Sequence, residues 1–322
     1  MTLRRRTALT LAAAPLVARA QPAWPTRPVR LVVPFAAGGG TDVSTRLLVP
    51  AMSDFLGQPV VVENRPGAGG TTGTDYVAKA PADGSVFLMA TLSTVGLAIG
   101  LYPNLPYDPV KDLMPVAPTV LVPIGILARP EMGATLQEFI AKLKASPDKY
   151  QYGSAGSGSS GHIACASFLL QTQTQAVHVP YRGSGPVFND LAAGVIQFTA
   201  DLPGLMAPFH KAGTARVLMM ATDKRSSILP EVPTSAEAGL PDYKAYSWYG
   251  VFAPPGTPPH MVSRMAQAIE AALTDPQVNQ RLDKDMGLPP MTGYTPERFG
   301  QFLKDEIAMW VPLVKASGAA PG

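Results

Sequence analysis

The chain has 322 residues, of which 46% are hydrophobic and 15% are charged, and its formal net charge is +3. This length and composition are typical of a globular protein with two domains and exclude a disordered chain. The sequence has no basic run and no basic patch interleaved with aromatic residues, so we expect no nucleic-acid partner. The single cysteine, Cys165, excludes an intrachain disulfide and is predicted to be buried at an apolar helix start.

The first twenty residues have the pattern of a cleaved export signal. Three arginines at 4–6 precede the short apolar segment TALTLAAAPLVA, and small residues at 18–20 would allow cleavage near Ala20. A transmembrane anchor is the alternative, but the segment is shorter than the roughly 20 apolar residues that a span needs. Sec export is the simpler interpretation, although the arginines also loosely resemble a twin-arginine signal. Four of the 26 Lys and Arg residues lie here, so the exported, soluble chain should be nearly neutral.

From residue 29 onward, strand patterns and helix patterns alternate along the chain. The first series is predicted as strand 29–33, helix 43–57, strand 60–63, helix 71–80 and a third strand from residue 85 that ends near Thr91. An apolar stretch at 120–130, closed by proline, leads to a second series. This series is predicted as helix 135–146, strand 149–155, helix 161–173, strand 176–183, helix 184–194, strand 195–203, helix 204–213 and strand 215–222. The stretch 247–259 is again apolar and closed by prolines, and helices follow at 260–275 and 295–318.

The order of these elements predicts an α/β protein with two lobes, each a mostly parallel sheet flanked by helices. The stretches 120–130 and 247–259 would be two crossover strands that form a hinge. Residues 1–20 are assigned to the signal, 26–124 plus 250–322 to lobe 1, and 125–249 to lobe 2, with the C-terminal helix reaching back toward lobe 2. A ligand cleft would lie between the lobes, at the carboxyl ends of strands.

The segment YGSAGSGSSGHIA at 152–164 places a Gly/Ser loop between a strand and a helix. Gly156, Gly158 and Gly161 match the G-x-G-x-x-G pattern of dinucleotide sites, but the acidic residue expected about twenty residues later is missing. Ser159 or Ser160 with His162 could form a Ser/His hydrolase site, which is the second hypothesis, but the G-x-S-x-G elbow is absent. The four histidines are scattered and form no metal-binding motif, so neither a metal nor a cofactor is expected.

A second Gly-rich loop, PFAAGGGTD at 34–42, also joins a strand to a helix. Both loops would direct unpaired backbone N–H groups and the positive end of a helix dipole into the cleft, and neither contains Lys or Arg. One such loop alone is usually an ordinary tight turn, but one in each lobe favours a clamp on a small anion. Asp42 is either an N-cap of the following helix or an acceptor for a ligand or water, and the pattern does not separate the two.

Eight segments in the same order resemble the Bug-type periplasmic receptors of tripartite tricarboxylate transporters, over essentially the whole mature chain. These segments are RPVRLVVPFAAGGGTD, GQPVVVENRPGAGG, AKAPADGSVFLM, LPYDPVKDL, YGSAGSGSSGHIA, VHVPYRGSGP, KRSSILPEVPTSAEAGLP and SWYGVFAPPGTP. The resemblance implies a type II periplasmic-binding fold with a Venus-flytrap cleft, and a small ligand that is a mono-, di- or tricarboxylate or an acidic amino acid. It also implies a monomeric, non-enzymatic protein in the periplasm, with membrane transporter subunits as partners or a sensing role. Effector domains of transcription regulators share this fold, but the export signal and the lack of a helix-turn-helix segment argue against that class.

The same resemblance implies ligand contacts from both loops. In the first lobe these residues are Phe35, Ala37, Gly38, Gly39, Thr41 and Asp42, with Thr71, Thr91 and Ser93 on neighbouring loops. In the second lobe they are Ser154, Ala155, Ser157, Ser159 and His162, with Asp201 after a strand. Gly40 replaces a serine that is common in the family, and Thr71 replaces an asparagine. The distal end of the ligand is therefore expected to meet different groups from those in better-known relatives.

Overall fold

The computed structural model describes residues 24–147, 149–181 and 183–316, and within them ten strands form two separate five-stranded sheets. The strands are β1 (Val29–Val33), β2 (Val60–Asn64), β3 (Val86–Thr91), β4 (Met114–Pro123), β5 (Gly125–Ala128), β6 (Gln151–Ser154), β7 (Val177–Pro180), β8 (Phe198–Asp201), β9 (Arg216–Met220) and β10 (Tyr246–Ala253). The helices are α1 (Gly40–Leu56), α2 (Thr71–Ala78), α3 (Ala98–Leu101), α4 (Leu136–Ala145), α5 (Ser160–Thr172), α6 (Ser184–Ala193), α7 (Pro203–Lys211), α8 (Pro259–Thr274), α9 (Pro276–Gln280) and α10 (Pro296–Ala316). None of these helices is both long and apolar enough to cross a membrane.

The first sheet has the strand order β2-β1-β3-β10-β4. Strands β1, β2 and β3 run parallel, whereas β10 lies antiparallel between β3 and β4. Helices cover both faces, which is why three consecutive residues of β1, Leu31, Val32 and Val33, are all apolar and buried. Leu31 and Val33 pack in a core with α1 and α8, whereas Val32 points to a second core with α2 and α10.

The second sheet has the order β7-β6-β8-β5-β9. Strands β6, β7 and β8 run parallel, and β5 lies antiparallel to both β8 and β9. Here too each face has its own core. Ile126 of β5 packs with α4 and α5, whereas its neighbour Leu127 packs with α6 and α7 on the other face.

The chain passes between the two sheets twice, at adjacent positions. Ile124 alone separates β4 from β5, and the return runs from Ala245 directly into β10. The N–H of Ile124 donates to the Ala245 carbonyl at 3.3 Å, and the N–H of Ala221 donates to the Ile124 carbonyl at 2.8 Å. Two short crossovers held side by side are the usual construction of an interdomain hinge.

The two-lobed α/β architecture predicted from the sequence is confirmed. Each predicted strand and helix corresponds to an observed element whose ends differ by a few residues, whereas α3, α9 and the first half of β4 were not predicted. The lobe boundaries at 124/125 and 249/250 stay predictions, and β10 joins the first sheet from Tyr246 onward. The C-terminal helix α10 packs against β4 and α3. The predicted signal at 1–20 lies outside the described residues.

Candidate ligand-binding cleft

A cavity of about 140 Å³, termed the cleft cavity, lies between the two lobes at the carboxyl ends of strands from both sheets. Seven of the predicted binding residues line it: Phe35, Thr41, Thr91, Ser93, Ala155, Ser159 and Asp201. The crossover strands β4 and β10 add Val122, Ser247 and Tyr249. Among the described lining residues there is no lysine or arginine, so hydroxyls, backbone amides and one carboxyl group provide its polar surface.

Two helices from opposite lobes begin at this cavity. Helix α1 starts at Gly40 and α5 at Ser160, and Thr41, Ser160 and Gly161 line the wall. The backbone N–H groups of these three lining residues donate to no acceptor within the part of the chain that the structure describes. Unpaired N–H groups at a helix start carry partial positive charge, and the helix dipole adds to it. These N–H groups therefore favour an anion at the cavity wall.

The lobes also touch each other beside the cavity. The Ser93 and Ser160 hydroxyl oxygens lie 3.2 Å apart, within hydrogen-bond distance across the cleft. Leu101 of α3 packs over Gly158, where a Cβ would come within 2.5 Å of the leucine side chain. Gly158 has a φ of +76°, so both its backbone conformation and this close contact require glycine.

Thr91 places a buried hydroxyl at the cavity wall. The residue is 4% exposed and lines the cavity, and its Oγ1 has no hydrogen-bond partner among the described residues. A buried polar group without a partner costs about 1–3 kcal/mol. Its cross-strand neighbour Tyr249 is buried as well, and burial raises the pKa of the phenol to about 12, so it remains a neutral donor. Two hydroxyls on adjacent strands therefore face the same cavity.

Asp201 is the one carboxyl group in the cavity lining that the structure describes. The Ser184 hydroxyl donates to its Oδ2 at 2.6 Å, and the Leu202 N–H donates to its Oδ1 at 2.8 Å. Burial raises the pKa of Asp201 despite these two bonds, which favour the charged form. A neutral carboxylic acid can donate a hydrogen bond to a ligand oxygen, so this group is compatible with an anion site.

Asp42 stabilises the first loop through hydrogen bonds to its backbone and to a neighbouring strand. Its Oδ2 accepts the Gly38 N–H at 2.9 Å, its Oδ1 accepts the Asn64 amide at 2.9 Å, and both oxygens lie 3.0 Å from the Arg46 Nε. Burial alone would raise its pKa, but the Arg46 guanidinium and the other donors hold the pKa below its usual range. This geometry shows a loop-bracing role and not a side-chain N-cap, since the cap residue is Gly39.

His162 braces the second loop in the same way. Its Nδ1 accepts the Gly158 N–H at 3.0 Å, so a residue four positions later holds the loop, as Asp42 holds Gly38. The ring stacks on His178 with centroids 3.8 Å apart, and His178 Nε2 lies 2.7 Å from the Ser154 hydroxyl. Burial lowers the pKa of both histidines to about 4, so both rings are neutral near pH 7.

The other predicted residues lie near the cavity without lining it. Ala37, Gly38 and Gly39 are exposed on the first loop, and Ser157 is half-buried on the second. The Thr71 hydroxyl donates to the Ala68 carbonyl at 2.8 Å. Their contacts with a ligand stay predictions.

Four polar lining residues were not predicted as ligand contacts: Ser160, Ser184, Ser247 and Tyr249. Of these, Ser160 was considered only as part of a hydrolase site. Ser247 and Tyr249 occupy alternate positions of β10, so the two-residue period of a strand could have placed both on one face. Ser184 is the first residue of α6, the helix that follows β7, as Ser160 is the first residue of α5, the helix that follows β6. This shared position at a helix start could have indicated Ser184 as a lining residue.

The arrangement of Ser159 and His162 is that of a helix cap. Ser159 is the N-cap of α5, where its hydroxyl accepts the His162 N–H at 3.2 Å. The His162 Nδ1 is occupied by the Gly158 N–H, so this nitrogen does not act as a base for Ser159. Cys165 is buried, as predicted. The described residues contain no group of three or more His, Cys, Asp or Glu side chains that could hold a metal ion.

Two lobes around a small cavity of amides and hydroxyls define the class of solute-binding receptors. A family model described as "Tripartite tricarboxylate transporter family receptor" matches residues 45–319. The chain is 38% identical to the protein BugT of Bordetella pertussis over 301 residues, which covers 92% of this chain and 91% of BugT.

Two solved structures with bound dicarboxylates are also similar to this chain. MatC from Rhodopseudomonas palustris with bound malate has a TM-score of 0.81 and 35% identity, and the match covers 90% of this chain and 100% of MatC. A second R. palustris protein with adipate has a TM-score of 0.85 and 35% identity, over 92% of this chain and 99% of that protein. The chain belongs to the tripartite tricarboxylate transporter receptor family, whose members are periplasmic solute-binding proteins and not enzymes.

Proposed function

We propose that this receptor captures a small organic carboxylate in the cleft cavity and delivers it to membrane subunits of a tripartite tricarboxylate transporter. The main support for the proposal is the cavity wall, where helix starts and hydroxyls from both lobes converge and the described lining residues include no lysine or arginine. A ligand that touches both lobes stabilises their closed arrangement, because only that arrangement makes all its contacts.

The size of the cavity supports a short acid. Its volume of about 140 Å³ is well below the roughly 300–1,000 Å³ of common ligand pockets. Malate and adipate, the ligands in the two R. palustris structures, are dicarboxylates of four and six carbons. One carboxylate would accept the N–H groups at the starts of α1 and α5. A second polar group of the ligand would meet Thr91 and Tyr249.

The sharpest test is Thr91→Val, which replaces the hydroxyl by a methyl group of similar shape. The change should stabilise the ligand-free protein by about 1–3 kcal/mol, because it removes an unsatisfied buried hydroxyl. It should also weaken binding of the acid by roughly two- to tenfold, the value of one neutral hydrogen bond. Opposite effects on stability and affinity are the signature of a hydroxyl kept for a ligand.

The measurement is calorimetric binding and thermal unfolding of the mature protein with mono-, di- and tricarboxylates and acidic amino acids. Thr274→Val is the matched control, because its exposed hydroxyl donates to carbonyl groups of α8 itself, those of Glu270 and Ala271. A Thr91→Val protein that is more stable yet binds the acid unchanged would remove Thr91 from the site. Binding of sugars or cations, without any carboxylate, would overturn the ligand class.

The proposal also includes export and delivery. We expect cleavage near Ala20, a monomer in the periplasm, and uptake of the bound acid only in cells that contain the transporter subunits. Mass spectrometry of the periplasmic protein identifies its first residue, and light scattering gives its oligomeric state. Uptake that is unchanged after deletion of the receptor gene would contradict delivery while leaving binding intact.

A further inference from the structure

A larger cavity of about 630 Å³ lies on the other side of the hinge and is termed the rear cavity. The crossover strands contribute Leu121, Pro123 and Tyr246 to its wall. Lobe 2 contributes the loop 222–227 after β9, and lobe 1 contributes residues between 287 and 302. Both lobes therefore shape this cavity, as they shape the cleft cavity.

The alternation of side chains along the crossover strands shows that the two cavities lie on opposite faces. Val122 of β4 lines the cleft cavity, whereas its neighbours Leu121 and Pro123 line the rear cavity. On β10, Ser247 faces the cleft cavity and Tyr246 the rear one. The strand pairing agrees, because Tyr246 pairs with Pro123 and Ser247 with Val122. One pair of hinge strands thus separates two possible ligand sites.

The wall of the rear cavity has the chemistry of a small-molecule site. Its volume falls within the roughly 300–1,000 Å³ of such sites, and most of its surface is apolar. Tyr246, Tyr294 and Phe302 provide rings, and Pro289 and Pro290 provide flat apolar faces. Flat apolar walls of this kind favour an aromatic body in the ligand.

Four of the five charged lining residues of the rear cavity form ion pairs. Lys244 pairs with Asp223, Arg225 pairs with Glu237 at 2.9 Å, and Asp283 pairs with Lys284 at 2.8 Å. Lys224 lies between Asp223 and Arg225, is exposed, and forms no ion pair within the described ranges. Charge complementarity therefore calls for one negative group on the ligand.

We propose that the rear cavity is a second ligand site, which binds an aromatic monoanion and is coupled to the cleft through the shared hinge strands. The coupling has a mechanical basis, since the width of a cavity lined by both lobes depends on the angle between them. The Ser227 hydroxyl donates to the Asp283 carbonyl at 2.6 Å and links the lobes at this side. A ligand that fits the rear cavity at the lobe angle of this structure stabilises that angle. It should therefore raise the affinity of the cleft for its acid.

The test uses 8-anilinonaphthalene-1-sulfonate, a fluorescent aromatic monoanion, with the folded mature protein. Wild type should show saturable binding of one probe per chain. Lys224→Glu should weaken that binding about three- to tenfold at low salt, and less at high salt. Met291→Trp, which adds bulk to the cavity wall, should weaken it at least tenfold. Lys211→Glu is the control, because it makes the same charge change on the exposed end of α7.

The outcomes separate this proposal from the proposed function of the cleft. Saturable binding that is weakened by Lys224→Glu and Met291→Trp, but not by Lys211→Glu or Thr91→Val, supports a rear site even if no cleft acid is found. Equal effects of the two lysine variants, or a loss of probe binding in Thr91→Val, overturn it. Light scattering that shows a dimer dissociated by Met291→Trp would assign the cavity to a second copy of the chain, and would also overturn it.

Discussion

Gly161 is the residue where the cavity wall tolerates least change. It is the second residue of α5, and a Cβ at this position would lie 2.3 Å from the Ala200 carbonyl oxygen at the end of β8. An ordinary Cβ contact requires at least about 3.4 Å, so Gly161→Ala must move the start of α5 away from β8 by about 1 Å. Overpacking of this kind costs about 1–3 kcal/mol, and the helix preference of alanine returns up to about 1 kcal/mol.

The expected net loss is about 1–2 kcal/mol, or a Tm decrease of about 2–3 °C for a protein of this size. The shift also displaces the N–H groups of Ser160 and Gly161, so the acid should bind about 10–100 times more weakly, which is the value of a hydrogen bond to a charged group. Gly185→Ala is the matched control, because Gly185 is the second residue of α6 and its Cβ would meet open space. Scanning calorimetry and titration calorimetry measure both effects. Equal Tm values for the two variants would refute the argument from the Ala200 contact.

Three further predictions concern buried ionisable groups. Asp42→Asn should lower the free energy of unfolding by about 1–3 kcal/mol at pH 7, measured by urea unfolding. The difference from wild type should disappear as the pH falls through the lowered pKa of Asp42, because the wild-type carboxylate is then protonated. Glu306→Leu should cost about 2–6 kcal/mol in the same assay, because the buried indole N–H groups of Trp248 and Trp310 lose their acceptor. Wild type should lose stability as the pH falls from about 6.5 toward 4, because burial lowers the pKa of His178 to about 4. His178→Phe should reduce that loss, and an unchanged pH profile would contradict the assignment.

The fold was predictable because its signals are local. Apolar stretches such as Leu31–Val33, Gly-rich loops and amphipathic helices determined nearly every element, and two proline-closed stretches indicated the hinge. Short helices were missed, since the four residues of α3 carry too little periodicity to detect. The place of β10 between β3 and β4 was also beyond a local signal, because β10 lies more than 120 residues after both of these strands in the chain.

The sequence indicated which loops form the site, but not what each of their residues contacts. Asp42 and His162 lie in the first turns of the helices that follow the Gly-rich loops, and their predicted contacts with a ligand stay predictions. The structure shows why they turn inward: a loop of small residues lacks side chains to hold its shape, so a later residue accepts one of its N–H groups. The lining residues on β10 were missed for a different reason, since the face of a strand that meets another lobe depends on tertiary packing.

Asp201 presents the remaining question of how an anion site accommodates a carboxyl group. Burial already raises its pKa, and a bound carboxylate would raise the pKa further, so the complex should take up a proton. The affinity for the acid should therefore fall as the pH rises through that pKa, whereas Asp201→Asn, which is neutral at every pH, should bind with little pH dependence. Calorimetry in buffers of different ionisation enthalpy counts the proton directly. No proton uptake, together with weaker binding by Asp201→Asn at every pH, would show instead that a charged Asp201 accepts a hydroxyl or ammonium group of the ligand.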